Sequence, residues 1–129
     1  MKFQMKEESG FYTELPFGRL DISGDEEYGF RPFQLLVSSV VVCSGGVLRK
    51  ILKKQRVDFQ NIEIEANVTR DDEKADRVAK IEVHFIITGK GLKEEKIHKA
   101  MELSRKHCSM VQSVIPSIEV IETFELIEG

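Results

Sequence analysis

Two cysteines, Cys43 and Cys108, are the only thiols in this 129-residue chain. They are also the side chains best suited to redox chemistry without a cofactor. A thiolate can open a peroxide and become a sulfenic acid, and a second thiol can then condense with it to a disulfide. Cys43 lies in the uncharged stretch Pro32-Phe-Gln-Leu-Leu-Val-Ser-Ser-Val-Val-Val-Cys-Ser-Gly-Gly-Val-Leu48. Cys108 lies in Arg105-Lys-His-Cys-Ser-Met-Val-Gln-Ser-Val114, late in a second helical pattern. If the two helices meet, one thiol can attack a peroxide and the other can resolve the product. If they do not, both cysteines are small apolar core residues, a common fate of free cysteine.

An unperturbed thiol, with a pKa of about 8.5, is only a few per cent ionised at neutral pH, and burial alone lowers that fraction further. An efficient nucleophile therefore needs a cation, a hydrogen-bond donor or a helix N-terminus beside it. Cys43 lies several turns past Pro32, too far for its own helix N-terminus to help. Its activation must come from across the fold or across an interface. The apolar residues Leu36, Val40, Val47, Met101 and Met110 would suit an alkyl or aryl tail better than hydrogen peroxide.

The other polar side chains offer less. His84 falls on the charged side of a strand, His98 on a polar helix face, and His107 next to Cys108. A zinc site needs three or four ligands, usually closely spaced, so no metal is expected. Arg105, one helical turn before Cys108, either favours its thiolate or is an ordinary surface charge. Ser44-Gly45-Gly46 makes room for a substrate or lets a partner helix approach closely. It is no phosphate loop, because no Gly-Lys-Ser/Thr follows.

The length fits one domain over residues 1–129. With 41% hydrophobic and 32% charged residues, the composition is that of a globular protein rather than a disordered one. A net charge of −3 gives no basic bias, so neither nucleic acid nor an anionic membrane is expected as a partner. Pro32–Leu48 is too short and too rich in Ser, Gly and Gln for a membrane span. Met1-Lys-Phe-Gln-Met-Lys-Glu-Glu has no apolar leader. A cytoplasmic location is therefore expected, where a transient redox pair is more plausible than a permanent disulfide.

The patterning supplies the elements that must position the thiols. Phe3 and Met5, then Phe11, Thr13 and Leu15, then Leu20 and Ile22 alternate at period two between turn signals, predicting two or three short antiparallel strands. Pro32 starts a helix that runs to about Gln55, with Arg49, Lys50, Lys53 and Lys54 at its end. Phe59–Val68 and Ile81–Ile87 read as strands around a charged loop, Asp71–Asp76. A helix with Glu94 and Glu95 in its first turn carries Ile97, Ala100, Met101, Leu103 and Cys108 on its apolar face. A last strand runs through Ile118, Val120, Phe124 and Leu126. The order β-β-(β)-α-β-β-α-β with mainly hairpin connections gives the α+β class. The long helix is apolar nearly all round, and a second copy of the chain is the economical cover for it. A homodimer is expected.

A proline-initiated buried helix with Leu35-Leu36 and a mid-helix cysteine, then two strands, then a second helix ending in Cys108-Ser-Met-Val-Gln-Ser113, resembles the OsmC/Ohr family. The spacing of the two cysteines is similar too, and the likeness in element order covers nearly the whole chain. The resemblance implies an OsmC-like fold: an antiparallel sheet with a long buried central helix and a second helix, in an intertwined homodimer with two thiol sites at the subunit interface. It implies a peroxidase that reduces organic hydroperoxides without metal, haem or flavin and is recycled by an external dithiol. Cys43 would be the peroxidatic cysteine and Cys108 the resolving one. The chain departs from the family in one respect. The characterised peroxidases hold the first thiol ionised with an N-terminal arginine and a glutamate at the start of the central helix. Here that start reads Pro32-Phe33-Gln34, and Arg19 and Arg31 are the nearest arginines. Arg31, Arg19 and Gln34 are therefore the candidate activating residues, and the pattern is that of the OsmC-like branch rather than of Ohr proper. The alternative is a non-catalytic OsmC-like dimer that binds an apolar small molecule or senses oxidants at the same thiol pocket.

Overall fold

The computed structural model describes residues 1–129. The backbone forms two compact units, residues 1–38 and 39–129, each considered separately below.

In the first unit, β1 (Phe3–Met5), β2 (Phe11–Glu14) and β3 (Arg19–Ile22) form an antiparallel sheet in chain order. Phe3 pairs with Thr13 and Thr13 with Leu20, while Met5 pairs with Phe11 and Phe11 with Ile22. The alternating apolar residues therefore share one face, as the sequence predicts. Phe3, Met5 and Phe11 on that face are 49%, 71% and 51% exposed, so much of it is uncovered within the chain. On the other face Asp21 binds Lys6 at 2.9 Å and Arg19 at 3.0 Å, and the Arg19 guanidinium lies 3.8 Å from the Tyr12 ring centroid. These two cations hold the Asp21 carboxyl below its ordinary pKa.

Helix α1 spans Pro32–Lys54, with Lys53 and Lys54 in its last turn. Proline suits its first turn because the N–H it lacks would have no intrahelical partner there. The backbone N–H of Arg31 donates to Gln34 Oε1 at 3.0 Å, half of a capping box. Within the second unit, Val40, Ser44, Gly45, Leu48 and Leu52 form one buried stripe, whereas Val42 is 69% exposed. By length and composition α1 is also long enough to cross a membrane. A one-sided stripe is instead the pattern of a helix laid on a sheet.

That sheet consists of β4 (Phe59–Asp71), β5 (Arg77–Gly89) and β6 (Glu119–Glu128), in that order. β4 and β5 form the expected hairpin around the charged turn, and β6 lies parallel to β5. A parallel neighbour needs a crossover connection, here α2 (Glu94–His107) and α3 (Ser109–Val114). The sheet is thus mixed, because its last strand returns through helices rather than a hairpin. Ile81, Val83, Phe85 and Ile87 of β5 are all buried, and Ile97, Ala100 and Met101 of α2 complete the core. At the end of β5 the Gly89 backbone lies so close to Asp58 that a β-carbon would collide with the Asp58 carbonyl oxygen and sit 2.9 Å from Phe59 Cα. Gly89→Ala is expected to cost on the order of 2 kcal/mol, the usual scale of overpacking, read as a lowered urea midpoint at unchanged slope.

Candidate functional site

Cys43 and Cys108 come together in the second unit. Cys43, on the middle of α1, is partly exposed, whereas Cys108 is fully buried. Each thiol shifts the other: Cys108 lowers the pKa of Cys43, and Cys43 raises that of Cys108. The helix that carries Cys108 is not continuous. Cys108 has extended backbone angles (φ −81°, ψ 106°), ending α2 and acting as the N-cap of α3. Its Sγ accepts the backbone N–H of Val111 at 3.5 Å. No glycine or proline marks this break in the sequence, which reads as one helix.

The break creates the environment of Cys43. The first N–H groups of a helix have no partner inside it, and α3 begins beside the Cys43 sulfur. Ser109 Oγ lies 3.7 Å from that sulfur. The Met110 N–H is the largest influence, and with the Cys108 thiol and both groups of Ser109 it holds the Cys43 thiol below its ordinary pKa, against the opposing effect of burial. Cys108 moves the other way. Burial is the main cause, and the neighbouring Cys43 adds to it. Of this pair Cys43 is therefore the thiol that ionises first. The sign for stability follows. The Cys43 contribution is present above the ordinary thiol pKa and is lost as pH falls through the lowered value. That of Cys108 is present below the ordinary pKa and is lost as pH rises through the raised value.

Ser109→Pro tests these donors. Proline suits the first helical position, and the extended angles of Cys108 are those a residue before proline prefers. The change removes one N–H and one hydroxyl from the thiol. Alkylation of Cys43 at pH 7 is expected to slow by about three- to tenfold, the worth of one hydrogen bond, and its pH profile should move to higher pH.

Within the single chain the other candidates have partners of their own. Gln34 caps α1, the Arg31 guanidinium lies 5.0 Å from the Phe33 ring centroid, and Arg19 is bound to Asp21 and Tyr12. Arg105 does not serve Cys108. Its Nη1 donates to Val120 O at 2.8 Å and to Glu122 Oε1 at 3.2 Å. Of the expected apolar walls, Val40 is fully buried and Met101 is 7% exposed, so Val40 belongs to the core rather than to an open pocket. A groove of about 800 Å³ along α2 and β6, lined in part by His98, Met101, Arg105 and Phe124, contains neither thiol. Gly45 closely approaches β4 of its own chain, where a β-carbon would lie 2.6 Å from Ile64 Cδ1, while Gly46 faces open space. Close packing at Gly45 within the chain is therefore helix on sheet.

Sequence reasoning passed over two groups at this site. The first is the pair of α3 amides, which leave no mark in side-chain types. The second is Glu122, whose signal was present: it takes an inward position in the alternation Val120, Glu122, Phe124, Leu126, where an apolar residue is expected.

The chain is 27% identical to Protein YhfA of Escherichia coli K12 over 97 residues, 74% of this chain and 72% of that one. It is 26% identical to the organic hydroperoxide resistance protein OhrB of Bacillus subtilis over 92 residues, 71% and 67% of the two chains. The OhrB crystal structure superposes with a TM-score of 0.64 at 20% identity, covering 96% of both chains. A hypothetical protein from Aquifex aeolicus VF5 superposes with a TM-score of 0.88 at 24% identity, covering 99% of this chain and 95% of the other. The family model for OsmC-like proteins matches residues 24–123, a span that contains both cysteines and the α3 break, and the chain belongs to the OsmC-like protein family.

Proposed function

We propose that this protein is a thiol peroxidase acting on organic hydroperoxides. The observation that carries the reading is the asymmetry of the two sulfurs: Cys43 is partly exposed with Ser109 Oγ 3.7 Å away, while Cys108 is fully buried, and the pKa of the first is shifted down and that of the second up. The Cys43 thiolate attacks the distal oxygen of ROOH and breaks the O–O bond. Cys43 becomes a sulfenic acid, and the alkoxide leaves as ROH after taking a proton. The Cys108 sulfur then attacks the sulfenic sulfur, forming a disulfide and expelling water. An external dithiol reduces that disulfide by exchange and is itself oxidised. Such a cycle suits a reducing compartment such as the cytoplasm.

The working unit in this reading is a homodimer. Support comes from apolar side chains left open in the single chain, among them Phe3, Met5 and Phe11 on one sheet face and Val42 on α1. The test is steady-state turnover of cumene hydroperoxide with a dithiol such as dihydrolipoamide. Cumyl alcohol should form in step with dithiol consumed, and none should form if the reading is wrong. A second reading, a binding or oxidant-sensing dimer, is favoured by one feature: the first turn of α1 holds no carboxylate. In that case Cys43 would be oxidised once and alcohol would not accumulate.

A further inference from the structure

A sulfur activated by donors on another helix is only as reactive as the placement of the two helices. Cys43 is on α1 and its donors are on α3, so something must fix one against the other. Ser44, the next residue, is fully buried and uses both of its polar groups. Its Oγ donates to Glu122 Oε2 at 2.6 Å, and its carbonyl accepts from Ser104 Oγ of α2 at 3.1 Å. The other carboxylate oxygen of Glu122 takes Arg105 Nη1, and the carbonyl of Arg105 accepts Gln112 Nε2 of α3 at 3.1 Å. The chain of contacts is closed: α1 to β6 through Ser44 and Glu122, β6 to α2 through Arg105, α2 to α3 through Gln112, and α3 back to α1 through Ser109 and Cys43. The Glu122 side chain is 7% exposed. A buried carboxylate is costly unless it is fully paired, and here each oxygen has its donor.

We propose that Glu122 is a positioning residue for the reactive thiol: through Ser44 and Arg105 it sets α1 against α3 so that the Cys43 sulfur meets Ser109 Oγ at the start of α3. The inference rests on the reading of Cys43 as the reactive thiol, but not on peroxide turnover. In Glu122→Gln the amide oxygen can take Arg105 while the amide N–H donates to Ser44 Oγ, whose hydroxyl turns to a carbonyl of its own helix. The geometry is retained without the charge. In Glu122→Ala both links are lost.

The test is alkylation of Cys43 by iodoacetamide across pH, with the site confirmed by peptide mass, in the full chain. Glu122→Ala should slow alkylation at pH 7 by about fivefold or more and move the profile to higher pH, since small displacements of positioned groups have large kinetic effects. Glu122→Gln should stay within about twofold of the native rate, because its hydrogen bonds survive. A Glu122→Ala profile that superposes on the native one overturns the proposal. Equal slowing in both variants overturns it in favour of a charge effect. Should Glu122→Ala fail to fold, Ser44→Ala, which deletes one hydroxyl, carries the same test. It should slow alkylation by about twofold or more, and an unchanged profile rejects the positioning role. Alkylation consumes no peroxide, so a protein that shows these differences without turning over hydroperoxide would sink the peroxidase reading alone.

Discussion

Cys43→Ser is expected to abolish hydroperoxide turnover, lowering kcat/KM by about a thousandfold or more, because a serine hydroxyl is not ionised at neutral pH and cannot take up the peroxide oxygen as a thiolate does. The change should leave the fold in place. The side chain is partly exposed, and serine keeps both its size and its contact with Ser109 Oγ. Steady-state alcohol release, set beside an unaltered thermal transition, checks this. Under the binding or sensing alternative, ligand binding in the pocket would survive the same substitution. Turnover that persists in Cys43→Ser would move the chemistry to another group.

Cys108→Ser is expected to give a different failure. The first turnover survives, because Cys43 keeps its contact with Ser109 Oγ. Serine is among the favoured N-cap residues and can accept the Val111 N–H as Cys108 Sγ does, so α3 still begins at the same place. Without a resolving thiol the sulfenic acid persists. Mass analysis after dimedone trapping should show Cys43 labelled once per chain, and steady-state turnover with a dithiol should fall by about a hundredfold. Loss of the first turnover as well would assign Cys108 a part in the attack itself.

The fold was largely legible in the sequence because its elements obey simple periodicities. Period two in Phe3–Ile22 and in Ile81–Ile87, an apolar helical run opened by Pro32, and the stripe Ile97, Ala100, Met101 each have one good solution. The parallel placement of β6 was not legible, since local pattern says nothing of strand direction once helices intervene. The cysteines were legible by residue type, but their activation was not. The expectation named Arg31, Arg19 and Gln34, because side-chain types are visible in a sequence and a helix break is not. Ser109 meets Cys43 where the helix breaks at Cys108, and nothing in residues 105–114 announces a break. Glu122 could have been found, since a carboxylate at an inward strand position must be paired or strongly disfavoured.

The central claim is that these two sulfurs form one redox pair. It is tested most directly by treating the reduced protein with one equivalent of cumene hydroperoxide and mapping the product by non-reducing peptide mass analysis. The account predicts loss of both thiols and a linked peptide joining Cys43 to Cys108, reversed by a dithiol. Two intact thiols alongside unconsumed hydroperoxide would contradict it.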